Sequence, residues 1–395
     1  MAGRQLDNRM SNNTPVVVEA YRTPFGKEDG VFSEVRPEDL SVPLIDEILG
    51  ETGLTGEDVN DLKLGCAQQR SEQGNNVARV IALMSELGED TPATTINRWC
   101  ASSAEAVINA ADAIRAGQRD CIIAGGVESM SRVKMGKNNE IHPGLNDEHN
   151  IAALQMGITA EEVAERHDIS REEQDAYAAR SQQRACAATE EGRFDDEIVP
   201  VRGHDDDDDG EAVIVDEDEG LRPGTTREKL AELPTVFKTD GTVTPGNASQ
   251  TTDGAAALLI TSRTFAEEHG FEELAEIGNN AVAGVEPEVM GIGPIPACRS
   301  LFERSGTTAD DYDLVELNEA FASQCYHCQQ ELGFDDDSYN VNGGAIAIGH
   351  PLGASGARLP VTLIHEMHKR DDAERGIATE CVGFGQGAAI EFHVD

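Results

Sequence analysis

Lysine, aromatic residues and net positive charge are scarce in this chain of 395 residues. Its 31 basic residues are 7 Lys and 24 Arg, set against 74 acidic residues, and the formal net charge is −43. So acidic a chain excludes a generic nucleic-acid-binding protein, which needs a basic face, and argues against an anionic membrane as partner. Excess carboxylate with little lysine is expected of a protein from a halophile, because high salt screens the self-repulsion.

Long apolar runs are missing as well. No stretch approaches the roughly 20 residues that cross a membrane, and residues 1–13 are polar. We therefore expect a disordered tail without a signal peptide, and a cytoplasmic protein. The 8 Cys are too sparse for a disulfide framework, which predicts reduced thiols. A hydrophobic content of 39% with clear periodicity still predicts a packed protein.

Predicted strands and helices alternate in the first third of the chain and again in the last. Strands are expected at residues 15–20, 61–66, 94–96, 121–124, 313–318 and 377–381, and helices at 38–50, 74–87, 101–116 and 353–368. This alternation predicts an α/β fold with a parallel or mixed sheet. Both thirds run strand, reactive residue, helix, strand and glycines, so we expect a duplication whose halves face each other across a site.

The middle of the chain, residues 129–249, is polar and charged. It contains a predicted helix at 172–192 and a predicted hairpin that pairs 198–202 with 211–215. Five consecutive Asp, residues 205–209, form the tip of this hairpin. Like charges without spaced glycines do not fold around a cation, so we expect a solvated loop there. We interpret the whole segment as an insertion that covers the core.

Two reactive residues occupy matching places in the two halves. Cys100 directly precedes a predicted helix, where backbone N–H groups and the helix dipole favour a thiolate. His350 lies in a glycine-rich segment, and Pro351 suits the first turn of the helix that follows. A cysteine and a histidine matched in this way predict a nucleophile and its base.

Four motifs in order carry a resemblance to a known family. NRWCASS (97–103), NEAFA (318–322), NGGAIAIGHP (342–351) and CVG (381–383) are similar to the reactive blocks of thiolases, the coenzyme-A-dependent acyltransferases. The similarity extends over residues 16–392. It implies reversible cleavage of 3-ketoacyl-CoA to acetyl-CoA and a shortened acyl-CoA, or condensation of two acetyl-CoA to acetoacetyl-CoA, through an acyl-cysteine.

The resemblance also implies a role for each motif residue. Cys100 would be the acylated nucleophile, His350 its base, and Cys381 the second acid and base. Asn318 would hold a water that forms, with His350, an oxyanion hole for the enolate. The backbone N–H groups of Cys100 and Gly383 would form a second hole for the tetrahedral oxyanion.

The implied fold has two βαβαβαββ halves in a five-layered αβαβα core with an inserted loop domain. We expect the first half at 14–128 with its end at 250–264, a coenzyme-A-binding loop domain at 129–249, and the second half at 265–395. By the resemblance Ser249 would contact the pantetheine arm of coenzyme A and Arg222 its nucleotide. From charge alone we hypothesise that the basic residues Arg222, Arg227 and Lys229, just after an acidic block, attract the phosphates, the alternative being a solvated helix start. Acyl-CoA is expected as substrate, with no tightly bound cofactor and no metal. The resemblance favours a homodimer or homotetramer.

Three other interpretations were weighed. A condensing enzyme of the same fold, of the 3-ketoacyl or hydroxymethylglutaryl-CoA synthase kind, is the main alternative, although Cys381 and NEAFA favour a thiolase. The pair Cys325 and Cys328 could suggest a metal or redox protein, but a helix continuing from Phe321 explains their spacing. A noncatalytic relative would be expected to lack Cys100, His350 or Cys381, and all three are present.

Overall fold

The computed structural model describes residues 13–136, 141–204 and 212–394. Its strands are β1 (Pro15–Arg22), β2 (Gly26–Lys27), β3 (Asp61–Gly65), β4 (Ala93–Ile96), β5 (Cys121–Ser129), β6 (Val201–His204), β7 (Ala212–Val215), β8 (Thr252–Ser262), β9 (Ala275–Gly284), β10 (Leu314–Leu317), β11 (Arg375–Val382) and β12 (Gln386–His393). Its α-helices are α1 (Pro37–Thr52), α2 (Val77–Met84), α3 (Ser102–Arg115), α4 (Leu145–Glu148), α5 (Met156–Arg166), α6 (Arg171–Glu190), α7 (Arg227–Ala231), α8 (Arg263–His269), α9 (Pro294–Ser305), α10 (Ala322–Leu332), α11 (Ala345–Ile348) and α12 (Leu352–His368). Short 3₁₀ helices lie at Ser71–Gln73, Ile151–Leu154, Pro287–Ile292 and Ala309–Asp311.

The large sheet consists of two halves with the same strand order. The first half runs β4-β3-β5-β8-β1, and the second runs β10-β11-β12-β9. In the second half Tyr339 makes a parallel bridge to Val315, at the position that β4 occupies in the first. The halves join where β1 pairs with β9 at Val16 and Val17. This repeated order confirms the predicted duplication and mixed α/β fold.

Helices fill three layers around the two half sheets. α3 and α12 lie in the middle and contribute to one apolar cluster with residues of both halves. α1 and α2 pack on the outer face of the first half, and α9 and α10 on the outer face of the second. Small residues allow α3 and α12 to approach closely, because a Cβ built on Gly356 would lie 2.8 Å from the Cβ of Ala104. The five layers therefore bring the first turns of α3 and α12 together.

The segment between β5 and β8 forms the predicted insertion, since these two strands pair directly with each other. It carries α4 to α7 and the hairpin of β6 and β7. α6 begins with a capping box formed by Ser170 and Glu173. Farther along α6, the hydroxyls of Tyr177 and Ser181 donate to the buried carboxylate of Glu319. These bonds connect the insertion to the NEAFA motif.

Several predicted boundaries are wrong. The strand expected at 121–124 continues through Gly125 and Gly126 to Ser129. Both glycines are needed inside the strand because neighbouring backbone leaves no room for a side chain. A Cβ on Gly125 would lie 2.1 Å from the Ala256 carbonyl oxygen, and a Cβ on Gly126 would lie 2.0 Å from the Gly353 carbonyl oxygen. The helix expected at 74–87 covers only Val77–Met84, since the positive φ of Asn75 and Asn76 interrupts it. The hairpin pairs Val201–His204 with Ala212–Val215. Its Asp-rich tip and residues 1–12 lie outside the described residues.

Candidate active site

A strained turn presents Cys100 between β4 and α3. Trp99, the preceding residue, has a φ of 47°, a left-handed conformation that costs energy in a residue other than glycine. Two side chains hold it there: Asn97 Oδ1 accepts from the Trp99 N–H at 2.9 Å, and Ser102 Oγ donates to the Trp99 carbonyl oxygen at 2.5 Å. The turn aims the Cys100 side chain into the middle layer, where it is 4% exposed.

His350 lies before α12, in the place that Cys100 occupies before α3. Its neighbour Gly349 has a φ of +106°, and a Cβ there would lie 2.2 Å from Thr252 Cγ2, so glycine is required by both conformation and space. The backbone N–H of His350 donates to the Gln250 carbonyl oxygen at 3.0 Å. The histidine is therefore fixed against the start of β8.

A serine holds the ring of His350. Ser355 Oγ lies 2.6 Å from His350 Nδ1 and 3.1 Å from the Pro351 carbonyl oxygen. This contact engages Nδ1, which leaves Nε2 as the ring nitrogen for proton transfer. Sequence reasoning missed Ser355, which lies five residues after His350 where the glycine-rich segment continues to Gly356.

Asn318 directly follows β10 and contacts the histidine ring. Its Nδ2 lies 3.3 Å from both ring nitrogens of His350, and its backbone N–H donates to the Thr379 carbonyl oxygen at 2.9 Å. Asn318 Oδ1 is buried and has no hydrogen-bond partner within the described part of the chain. The amide is thus held by its backbone and by the ring, with one oxygen available to a ligand.

Cys381 and Gly383 lie at the end of β11, beside Cys100. The backbone N–H groups of Gly383 and of Cys100 itself face the Cys100 sulfur. Cys381 is 5% exposed and close enough to Cys100 that each thiolate would disfavour the other. Phe384, which follows, has a φ of 63° and its ring centroid lies 5.3 Å from that of Trp99. Two strained aromatic residues thus border the cysteines.

Burial makes the nucleophile and the base neutral at rest. Desolvation and then Glu380 raise the pKa of Cys100 to about 12, although the two N–H groups oppose the rise. The backbone N–H groups favour the thiolate, as expected at a helix terminus, but the removal of the sulfur from water outweighs them. Desolvation and then Arg358 lower the pKa of His350 to about 3.

A cleft of about 570 Å³ reaches Gln250, whose carbonyl oxygen accepts from the backbone N–H of His350. Cys100, His350, Cys381 and Asn318 are not among the residues that line it. Lys27, Arg222, Phe237, Ser249 and Gln250 are among the residues that line it. Gln250 connects the cleft to the His350 backbone, and the Ser249 N–H donates to the Ala320 carbonyl oxygen at 2.9 Å.

Two of the three predicted coenzyme A contacts line this cleft and the third does not. Arg222 and Ser249 line it, whereas the ammonium of Lys229 donates to the Gly224 carbonyl oxygen at 2.6 Å. Lys229 is therefore not brought to the cleft together with Arg222.

A buried carboxylate that sequence reasoning missed joins the two halves. Glu128, on β5, accepts from the backbone N–H of Ala67 at 2.8 Å and of Gly353 at 2.9 Å. Gly353 lies in the first turn of α12, so this bond anchors the helix next to His350. Burial raises the pKa of Glu128 to about 7. The only sequence signal was an acidic residue at the end of an apolar strand.

The sulfurs of Cys325 and Cys328 bond to backbone within the α10 region. They donate to the carbonyl oxygens of Asn318 at 3.7 Å and Gly291 at 3.6 Å. The predicted helix after Phe321 is confirmed as Ala322–Leu332.

Over residues 13–136, 141–204 and 212–394 there is no group of three or more His, Cys, Asp or Glu arranged to hold a metal ion. In the same residues no helix is both long and apolar enough to span a membrane.

Comparison with known families identifies the class of protein. The thiolase N-terminal domain matches residues 15–264, and the thiolase C-terminal domain matches residues 271–394. The chain belongs to the thiolase family.

Individual relatives agree with this class. The chain is 47% identical over 383 residues to the 3-ketoacyl-CoA thiolase of Cronobacter sakazakii, covering 95% of this chain and 98% of the relative. It is 45% identical over 390 residues to that of Marinomonas sp., covering 97% and 99%. Crystal structures of Bacillus anthracis acetyl-CoA acetyltransferase and human mitochondrial 3-ketoacyl-CoA thiolase each match with a TM-score of 0.88 and 38% identity, over 97% of this chain and 99% of the other. The predicted thiolase activity and acyltransferase class are confirmed, in preference to the condensing-enzyme alternative.

Proposed function

We propose that this chain cleaves 3-ketoacyl-CoA with coenzyme A to give acetyl-CoA and a shortened acyl-CoA, and that it runs the reverse condensation of acetyl-CoA. One observation carries the proposal. Cys100, His350, Cys381 and Asn318 come from four separate segments and form two neighbouring pairs, Asn318 with the His350 ring and Cys381 with Cys100. Leu352, two residues after His350, packs in the same small apolar cluster as Cys100. The names of the relatives in Cronobacter sakazakii and Marinomonas sp. support the substrate class.

The first half-reaction uses the neutral pair. His350 Nε2 takes the Cys100 proton as the sulfur attacks the ketone carbon of the substrate. The N–H groups of Cys100 and Gly383 face that sulfur and so stabilise the tetrahedral oxyanion. As the bond between C2 and C3 breaks, the acyl group stays on Cys100 and the acetyl-CoA enolate is held by Asn318, through a water, and by His350. Cys381 then gives its proton to the enolate carbon, which releases acetyl-CoA.

The second half-reaction restores both thiols. The Cys381 thiolate takes the proton of an incoming coenzyme A thiol, whose sulfur attacks the acyl-Cys100 carbonyl carbon. The tetrahedral intermediate collapses to acyl-CoA, and His350 returns its proton to the Cys100 sulfur. Two proton carriers are needed because acyl transfer and carbon–carbon cleavage require protons at different atoms.

The cleft beside His350 is the proposed entrance for coenzyme A. Arg222 and Ser249 line it, and Gln250 and Ala320 connect it to the catalytic segments. Arg222 would attract the phosphates and Ser249 would contact the pantetheine arm. The loop-domain boundaries at 129–249 remain a prediction, and we assign Lys229 no contact with coenzyme A because it does not line the cleft. Coenzyme A enters and leaves this cleft as a substrate, and the proposed reaction needs no tightly bound cofactor.

The setting of the enzyme is also a proposal. A net charge of −43 with 7 Lys supports a halophilic, cytoplasmic protein. The family resemblance supports a homodimer or homotetramer, which light scattering in molar KCl would test.

The decisive experiment is thiolysis of acetoacetyl-CoA and of a longer 3-ketoacyl-CoA in molar KCl. We expect turnover of at least one substrate by the wild type and a loss of about 10³-fold or more in Cys100→Ala, because the covalent step is removed. Cys121→Ala is the matched control, since Cys121 is equally buried but lies in the outer apolar cluster of the first half. Folded wild type that turns over neither substrate would contradict the proposal.

A further inference from the structure

A carboxyl group that the reaction described above does not use is buried in the middle layer, near the segments that carry the catalytic thiols. Glu380 precedes Cys381 on β11 and is 1% exposed. Neither of its carboxyl oxygens has a hydrogen-bond partner in the part of the chain that the structure describes. A buried ionised carboxylate without donors is very costly, so the group is expected to be neutral or to have a specific task.

Gly356 creates the space for this carboxyl group where α3 and α12 cross. A Cβ built on Gly356 would lie 2.4 Å from Glu380 Oε1 and 2.4 Å from the backbone nitrogen of Ala104. Glu380 therefore occupies the centre of the middle layer, near the first turn of α3 that follows Cys100. A negative charge there acts on both thiols: it disfavours the thiolate of Cys100 and that of Cys381.

One buried arginine serves two buried carboxyl groups. Arg358 on α12 is 1% exposed and bonds through Nη1 to Glu316 Oε2 at 3.0 Å. Its Nε and Nη2 have no hydrogen-bond partner among the described residues. Arg358 also favours the charged form of Glu380, but burial outweighs it and raises the pKa of Glu380 well above its usual range. Burial raises the pKa of Glu316 to about 8 despite its bond to Arg358. The single arginine therefore does not hold both buried carboxyl groups in the charged form.

The other groups facing Glu380 do not neutralise a second negative charge. β12 places Ala388 opposite it, and β10 contributes Glu316. A second buried carboxyl group, Glu128, acts on Cys100 in the same direction as Glu380. His350 is neutral because its pKa is about 3. With Glu316 and Glu380 both ionised, the cluster around Arg358 would hold one uncompensated charge close to two thiols.

We propose that Glu380 is a positioning residue that holds a proton as a neutral acid close to Cys100 and Cys381, and that its ionisation switches off thiolate formation at high pH. The inference rests on the proposed function, because it takes these cysteines as the reacting thiols. The acid acts through the thiols and does not touch the substrate.

The first test detects the proton itself. An infrared difference spectrum of the wild type minus Glu380→Gln, in D₂O buffer with molar KCl near pH 7, should contain the carbonyl stretch of a protonated carboxylic acid. Glu391→Gln is the matched control: Glu391 is also a buried carboxyl group, but its pKa is lowered to about 2, chiefly by hydrogen bonds from His393 and Ser305 that outweigh burial. Its difference spectrum should lose carboxylate bands only. Carboxylate bands alone in the Glu380→Gln spectrum would overturn the proposal.

The second test follows reactivity against pH. The side chain in Glu380→Gln is neutral at every pH. We therefore expect its kcat/KM to be within about threefold of the wild-type value near pH 7. The fall of kcat/KM at high pH, the alkaline limb of the profile, should begin at least one pH unit higher than in the wild type. Glu380→Asp keeps a carboxyl group and should move the limb back toward wild type. A loss above tenfold near pH 7 with an unchanged Tm, or an unmoved limb, would contradict the assignment. Iodoacetamide alkylation of Cys100 gives the same comparison without a coenzyme A substrate, so failure of the proposed reaction is distinguishable.

Discussion

Replacing His350 by Gln should change how the stability of the fold depends on pH. The imidazole is 4% exposed, and burial followed by Arg358 lowers its pKa to about 3. In the unfolded chain a histidine has a pKa of about 6.5. Between pH 3 and pH 6.5 the unfolded state binds a proton on this histidine that the folded state does not bind, so acidification below pH 6.5 favours unfolding.

The size of the effect follows from the two pKa values. Between pH 7 and pH 5 the unfolded histidine becomes almost fully protonated while the folded one stays neutral. Integration of the linkage relation gives a loss of about 2 kcal/mol in the free energy of unfolding over that interval. The result hardly depends on the folded pKa as long as it lies below about 4. The Gln variant has no proton to bind, so it should lack this part of the pH dependence.

The assay is urea unfolding in molar KCl at pH 7, 6 and 5 for wild type and His350→Gln. Subtracting the two curves removes the contribution of the many carboxylates, which both proteins share. His142→Gln, at an exposed histidine, serves as the control and should follow the wild type. Parallel curves for wild type and His350→Gln, or a wild type relatively stabilised by acid, would refute the neutral pair: the imidazole would then be charged in the folded state, as it would be beside a Cys100 thiolate.

Four further variants test the strained turn and the cleft. Phe384→Ala should be less stable than Phe384→Gly by about 1 kcal/mol, because alanine retains the cost of a left-handed backbone at a φ of 63°. Urea unfolding of the two variants measures this difference. A more stable Ala variant would show that the backbone relaxes. Arg222→Ala should raise the KM for the CoA thioester about tenfold at low KCl and less in molar KCl, as expected for loss of a charge-assisted contact. Lys229→Ala should change that KM less than twofold, because its ammonium already bonds to Gly224; equal effects of the two variants would count against the cleft.

The spacing of apolar residues along the chain predicted much of the fold. The apolar spacing at 38–50 and 353–368 predicted α1 and α12 to within two residues, because helical periodicity depends only on neighbours along the chain. The duplication was equally visible, since each half repeats its order of elements. The boundaries failed at Gly125, Gly126 and Asn76, where distant backbone or a left-handed conformation overrides propensity.

What the sequence by itself determined is the chemistry: a cysteine and a histidine before matched helices, a second cysteine, and the motifs that resemble thiolases. Only the tertiary structure decided how these groups behave. It made Cys100 and His350 neutral, oriented the imidazole through Ser355, and put Glu380 close to the thiols. The reason is physical: a residue type fixes which proton a group can carry, whereas burial and the charges around it fix the pKa, and both arise from segments far apart in the chain.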